Sequence, residues 1–466
     1  MNDMIENRTF DEIEIGETAS LARQLTERDI QLFAVMSGDV NPAHVDHEYA
    51  RDDQFHQIIG HGMWTGSLIS TVLGTQLPGP GTIYEDQSLH FTGPVRPGDT
   101  VTVKVTVREK EPAQARVIFD CACTRQDGTT VVSGTAKVIA PREKIRRNRV
   151  HLPDVSLQDR GAKLRKLIED AKAYGPLSMA VVHPVDSASL LGAVVAAQAG
   201  LIDPVLVGPE GKIREAAEAA GVDIGGYRLE NVPHSHAAAQ RSVDLVKEGA
   251  ARALMKGKLH TDELMGAVVD KRAELRTERR ISHAFVMDVP SYAQPVLITD
   301  AAINIAPELE VKADIIRNAI DLALALDMED PKVAILSAVE TVSARMGSTL
   351  DAAALCKMAD RRQIVGGTLD GPLAFDNAVS VEAARVKGIT SPVAGKADVL
   401  VAPDLEAGNM LAKQLEYMGS AKAAGLVLGA RIPIALTSRA DDDLSRMASC
   451  ALALMLDTKQ RGAGAA

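Results

Sequence analysis

The feature that most limits how this chain can fold is a change in hydrophobic period part-way along it. From Ile83 to Ala140 the period is two. Val101, Val103, Val105 and Val107 alternate with polar residues, and the runs Arg116 to Thr124 and Val131 to Ile139 flank Asp127-Gly128. Side chains that alternate across the backbone belong to half-buried strands, and Asp-Gly supplies the backbone freedom of a tight hairpin, so the stretch reads as an antiparallel meander. Two helices are expected before it. The first has Thr26 as N-cap, Ile30, Phe33 and Ala34 on its apolar side and Gly38 at its stop; the second starts near Gly62 and runs through Met63, Leu68, Ile69 and Leu73. One sheet wrapped on an apolar helix is the economical arrangement.

The next stretch, Pro141 to Pro153, carries five basic residues and no clean periodicity, and reads as a solvated linker. Beyond it short apolar runs (MAVVHP, PVLVGP, ARALMKG, HAFVMDV, PVLITD, KVAILSA, ADVLVAP, IPIALTS) recur between Ala-rich helical stretches. Strands alternating with helices imply parallel sheet with helices on both faces. At 466 residues the chain exceeds the roughly 250 to 300 that one core supports, so we expect a domain over 1–140, a linker over 141–157 and a second domain over 158–466. The tail RGAGAA is expected to be flexible.

Composition narrows the function. Hydrophobic residues make up 46% against 24% charged, enough to bury sizeable cores, and a net charge of −11 argues against a nucleic-acid partner. The acidic N-terminus lacks an apolar segment and no apolar run approaches the roughly 20 residues that span a bilayer, so neither export nor membrane insertion is expected and a cytoplasmic location is. Cys121, Cys123, Cys356 and Cys450 form no C-x-x-C pair; buried thiols in a reducing compartment are the expected state, with Cys121 and Cys123 facing the same way.

Ser37-Gly38-Asp39-Val40-Asn41-Pro42-Ala43-His44, followed by Gly60-His61-Gly62-Met63, is the sharpest local cluster. Adding water to a double bond conjugated to a thioester needs a base for the water, an acid for the α-carbon and donors for the enolate oxygen. His44 and Asp39 can supply the first two if burial raises the carboxyl pKa, and backbone N–H groups at Gly62 or Met63 the third. Equally, Asp39 and Asn41 can simply form turns before Pro42, with His44 in the next short helix and Gly62 capping the apolar one. His47 and His61 are expected to be solvated or structural.

The segments FAVMSGDVNPAHVDHEYA, IIGHGMWTGSLISTVLG and LHFTGPVRPGDTVTVKVTV resemble the MaoC-like, R-specific enoyl-CoA hydratase family over roughly residues 10 to 140. The D-x-x-N-P-x-H element combined with G-H-G and P-V-x-x-G-D carries the likeness. It implies a hot-dog fold paired with a second copy. It also implies that Asp39 and His44 hold the catalytic water, that Asn41 orients it, and that the Gly62 amide contacts the thioester oxygen. The implied reaction is reversible hydration of trans-2-enoyl-CoA to (R)-3-hydroxyacyl-CoA.

Toward the C-terminus, VLVA and PIALT each end in small polar residues, and ligands of parallel sheets bind beyond such ends. Ser438 and Arg439 follow the last run. An arginine can clamp a phosphate bidentately and a hydroxyl can donate to developing charge, yet Ser438 can also merely cap a helix that opens with Asp441, Asp442 and Asp443. The segments TDAAINIAPELEVKADIIRNAI, PKVAILSAVET, DGPLAFDNAVS, PVAGKADVLVAPDLEAGNM and LTSRADD resemble the phosphate acetyl/butyryltransferase family over roughly residues 158 to 460. The resemblance implies two α/β subdomains with a cleft and exchange of CoA for phosphate on an acyl group. It also implies that Ser438 stabilises the carbonyl and Arg439 binds phosphate. The texture is nearer the butyryl branch. Where acetyl-type members carry an acid seven positions after the serine this chain has Ser445, so the thiol base is unassigned; Asp442 and Asp443 are the substitutes at hand, and neither follows from the match.

The expectation for the whole is an α+β hot-dog hydratase domain followed by an α/β phosphate acyltransferase domain, acting on acyl-CoA and phosphate as a homo-oligomer, at least a dimer. Neither Walker nor dinucleotide motifs occur, and His234 and His236 lack further ligands, so no cofactor and no metal are expected. The rival is a C-terminal module that binds acyl-CoA and organises oligomers without catalysis.

Overall fold

The computed structural model describes residues 4–153, 155, 157–436 and 441–464. It divides into two compact units, Met1–Leu157 and Gln158–Ala466.

In the first unit, strands β1 (Met4–Glu6) and β2 (Thr18–Gln24) precede helices α1 (Glu27–Ser37), α2 (Pro42–Val45), α3 (His47–Asp52) and α4 (Gly62–Thr75). Strands β3 (Ile83–Phe91), β4 (Thr100–Glu111), β5 (Arg116–Arg125), β6 (Thr130–Ile139) and β7 (Arg146–Asn148) follow. The alternating valines all point one way: Val101, Val103, Val105 and Val107 are at most 1% exposed and pack with Leu68, Ile69, Val72 and Leu73 of α4. Each such burial contributes roughly 1.5–3 kcal/mol, so the sheet curls around this helix because both must hide an apolar face. This is the hot-dog arrangement.

Local signals fall where the sequence puts them. The Thr26 hydroxyl accepts from Asp29 N at 3.1 Å while the Asp29 carboxylate accepts from Thr26 N at 3.0 Å, and α1 stops at Gly38 with φ 77°. The β5/β6 hairpin turns at Gly128 with φ 82°. Strand order differs from a simple meander: it runs β2-β4-β5-β6-β3, all antiparallel. Only β4, β5 and β6 are consecutive neighbours. The connection over residues 92–99 carries the chain across the sheet, leaving β3 as one edge.

The stretch read as a solvated linker contains β7, which pairs antiparallel with β1 in the register Met4↔Asn148 to Glu6↔Arg146. Asn7, 1% exposed, fixes this clasp by donating to Glu143 O at 2.8 Å and accepting from Ile145 N at 2.9 Å. The basic residues are used locally, with Lys144 paired to Glu12 and Arg146 to Glu6.

The second unit carries β8 (Leu177–Val182), β9 (Ile202–Gly208), β10 (Arg228–Asn231), β11 (Ala253–Lys256), β12 (Ser282–Asp288), β13 (Val296–Thr299), β14 (Lys332–Leu336), β15 (Thr368–Leu373), β16 (Val399–Val401), β17 (Lys422–Leu428) and β18 (Ile434–Ala435). They form one sheet, β10-β9-β8-β11-β18-β17-β12-β13-β16-β14-β15. Two parallel blocks lie at its ends, β10 to β18 and β13 to β15, and antiparallel pairings of β17 and β12 join them. The blocks run in opposite senses, which gives the two α/β halves expected.

Helices cover the sheet, the longest described being Asp443–Gly464; it includes part of the tail expected to be flexible. Among the described residues no helix is long and apolar enough to cross a membrane. All four cysteines are free, and burial pushes the Cys121 thiol up to about 12 and the Cys123 thiol to about 11.

Candidate active sites

In the first unit the chain leaves α1 through Gly38, turns, and enters α2 with Asn41 as cap. The turn is built by the side chains that chemistry would use: Asp39 Oδ1 accepts from Asn41 N at 3.2 Å, and Asn41 Oδ1 accepts from Ala43 N at 3.2 Å. Turn formation and a catalytic role therefore do not compete, because each carboxylate or amide keeps a second polar atom. His44 donates through Nδ1 to Ile59 O at 2.9 Å. A carbonyl can only accept, so the neutral ring carries its proton on Nδ1 and keeps a lone pair on Nε2.

His61, set aside as structural, completes the cluster. It is 2% exposed, its ring centroid lies 4.0 Å from that of His44, and its Nε2 donates to the Asp39 backbone carbonyl at 3.0 Å. It thus holds the Asp39 loop against α4. Burial lowers its pKa, His44 adds to the depression, and the bond to the Asp39 carbonyl opposes it. Polar atoms of Asp39, His44 and His61 lie within 4.8 Å of one another. Three such groups can hold a metal ion, but an ion would occupy the lone pairs that activate water.

Gly62 and Met63 open α4, where the first amides have no intrahelical acceptor, and both residues are exposed. A side chain at Gly62 would approach the Phe91 ring to 3.0 Å, so the residue permits close contact between α4 and β3. Asp39 is exposed in the single chain. The burial expected around it is therefore not provided by this unit alone. His47 is exposed, as expected of a solvated residue.

In the second unit Ser438 and Arg439 lie outside the described residues. Ser445 is 5% exposed, and its amide donates to Asp442 Oδ1 at 2.9 Å. Burial would raise the Asp442 pKa, but hydrogen bonds from Lys422 and Ser445 outweigh it and hold the carboxyl low. Asp442 is thus committed to capping the last helix and to an ion pair, a poor state for a thiol base.

A cavity of about 470 Å³ is lined by Lys256, His260, Thr261, His283, Asn409 and Lys413, together with Leu436. Lys256 ends β11, His283 and Phe285 stand on one face of β12, and Asn409 and Lys413 come from the helix Leu405–Tyr417 that follows β16. The two strand ends singled out in the sequence, those of β16 and β18, run in opposite senses, yet both lead to this cavity. Sequence reasoning did not single out its residues, since they are spread over more than 150 positions with no local spacing.

The sequence matches the family described as phosphate acetyl/butaryl transferase over residues 234–454, and the MaoC like domain over residues 12–120. A phosphate acetyltransferase of Rhizobium meliloti is 59% identical over 302 residues, covering 65% of this chain and 96% of that protein. A phosphate butyryltransferase of Clostridium acetobutylicum is 40% identical over 291 residues, 62% of this chain and 97% of that protein. Identity is thus higher to the acetyl-type relative, against the expectation from texture. A crystal structure of a branched-chain phosphotransacylase from Enterococcus faecalis superposes with a TM-score of 0.54 at 28% identity, covering 60% of this chain and 99% of that one. Through its C-terminal unit the chain belongs to the phosphate acetyl/butyryltransferase family, and it carries a MaoC-like domain ahead of that unit.

Proposed function

We propose that this is a bifunctional enzyme of acyl-CoA thioesters. The first unit adds water reversibly to trans-2-enoyl-CoA to give (R)-3-hydroxyacyl-CoA. The second exchanges CoA for phosphate, acyl-CoA plus phosphate giving acyl phosphate plus CoA. The observation that carries the first half is the His44 ring, held by Ile59 O in the tautomer whose Nε2 is a free base, beside the Asp39 carboxylate.

Asp39 and His44 together hold the water that adds to the β-carbon and share the base and acid roles, one taking a proton from that water and the other delivering one to the α-carbon. Asn41 orients the water, and the amides of Gly62 and Met63 receive the charge developing on the thioester oxygen. The reaction proposed needs no metal and no organic cofactor.

For the second half, family membership supports acyl transfer to phosphate. Arg439 binds phosphate and Ser438 donates to the carbonyl oxygen in this proposal. The exposure of Asp39 favours a homo-oligomer in which a second copy covers the site. The edge strand β3, with Ile83 60% and Phe91 51% exposed, supplies a surface for it. A second reading, a C-terminal module that binds acyl-CoA without catalysis, is favoured by Ser445 and by the occupied state of Asp442.

One assay set decides. Phosphate-dependent release of CoA thiol from acetyl-, butyryl- and 3-hydroxybutyryl-CoA is expected in the intact chain and lost in Arg439→Ala. Its absence in the intact chain leaves the module reading. Loss of enoyl absorbance with a trans-2-enoyl-CoA is expected to fall ~10²- to 10⁴-fold in Asp39→Asn and His44→Ala, the range typical of a lost acid or base. Near-normal turnover in either variant would sink the hydratase assignment.

A further inference from the structure

The strongest unexplained group in the molecule is His283. Its ring is 0% exposed, and among the described residues neither Nδ1 nor Nε2 has a hydrogen-bond partner. A buried imidazole with two idle nitrogens loses its hydration without replacement, a cost of about 1–3 kcal/mol per group. A phenylalanine or leucine would fill the same space without that loss. The ring meets Phe285 edge-on with centroids 4.5 Å apart, and Gly425 on the adjacent strand leaves it room: a side chain there would sit 3.0 Å from Nε2 and 2.6 Å from the Leu436 carbonyl.

What surrounds His283 is suited to an anion. The ring belongs to the wall of the 470 Å³ cavity, with Lys256, His260, Thr261 and Lys413. The nine-residue helix Thr261–Val269 starts at that wall with no side-chain capping bond from its N-cap, His260, although Asp262 and Glu263 in its first turn offset part of its positive end. Asp300, a charge felt by the ring, is already engaged: its carboxylate accepts from the amides of Ala302, Ile303 and Asn304. It does not need the imidazole.

We propose that this cavity receives the anionic oxygens of the acyl-transfer substrates and that His283, in its wall, is a neutral N–H donor to one of them. The inference rests on the phosphate acyltransferase reading above and names the residues that would serve it. The oxygen is carried either by the phosphoryl group or by the acyl carbon when phosphate or thiolate adds to it. The imidazole keeps its proton throughout: it donates a hydrogen bond, while the positive charge comes from Lys256 and from Lys413, the latter also paired with Glu416 at 2.7 Å. Burial lowers its pKa to about 4, against a smaller opposing effect of Asp300, which keeps the donor neutral at working pH.

The test compares the intact chain with His283→Phe and His283→Gln in phosphate-dependent CoA release, with inorganic phosphate and acyl-CoA varied separately. His283→Phe should lower kcat/KM for phosphate by roughly 10- to 100-fold, as expected for a lost bond to a charged group, and leave KM for acyl-CoA unchanged. His283→Gln, which keeps an N–H, should recover most of the loss. A rise in KM assigns the bond to the phosphoryl oxygen; a fall in kcat alone assigns it to the oxygen of the addition intermediate. Thermal stability of His283→Phe should match or exceed that of the parent, a result that a purely structural histidine would not give. Should that variant fail to fold, His283→Leu makes the same comparison. Phosphate kinetics within twofold of the parent in the Phe or Leu variant would overturn the inference, as would a loss that Gln does not recover. If the parent itself shows no phosphate-dependent turnover, the reading beneath the inference falls, and the inference with it.

Discussion

Two buried histidines give this protein a pH dependence whose sign follows from their surroundings. Burial depresses the pKa of both His61 and His283, the latter to about 4, below the ~6.5 of an unfolded chain. Between those values the unfolded state binds more protons than the folded one, so stability is lost as pH falls through the window from ~6.5 toward 4 and is level above it for these groups. Urea midpoints of the second unit should therefore drop between pH 7.5 and 5, and His283→Phe should flatten that slope. An identical slope in the variant would show that other groups carry the effect. The same two residues mark where residue-level reading of the sequence stops. Asp39 and His44 are legible because they sit five positions apart in one turn. His61 and His283 gain their character only from burial, which no local spacing encodes.

Elements were legible where one physical rule dominated. The valine alternation of β4 and the capping box of α1 each have a single cause, and both fall as read. Three strands of the second unit escaped. β10, RLEN, is a polar edge; β15, TLDGPL, contains Gly371-Pro372 at the other edge; β17, KAAGLVL, is half small residues because Gly425 must leave room for its neighbours. In each case strand state is set by a partner far along the chain rather than by propensity. The close approach of β3 to β6 provides a sharper element-level expectation. A β-carbon at Gly134 would lie 1.9 Å from the Ser88 carbonyl, a clash with backbone that no rotamer relieves. Gly134→Ala should cost the first unit at least ~1–3 kcal/mol, the usual range for overpacking, read as a lower unfolding temperature. An unchanged transition would mean that β3 is not paired to β6 as described.

For the molecule as a whole, the division at residue 157 separates two sets of internal contacts with their own cores. Calorimetry should resolve two transitions, with Gly134→Ala lowering only that of the first unit; a single transition shifted as a whole by that variant would refute independent units. The clasp of β1 and β7 bears on how tension along the chain is met. Because Met4 faces Asn148 and Glu6 faces Arg146, the strand entering the first unit and the strand leaving it run side by side in opposite senses. A pull applied between the N-terminus and the segment beyond Asn148 loads these three pairs one after another, like a zipper, rather than together in shear. The clasp would open at low force before the wrapped sheet bears any load, acting as a mechanical fuse for the first unit.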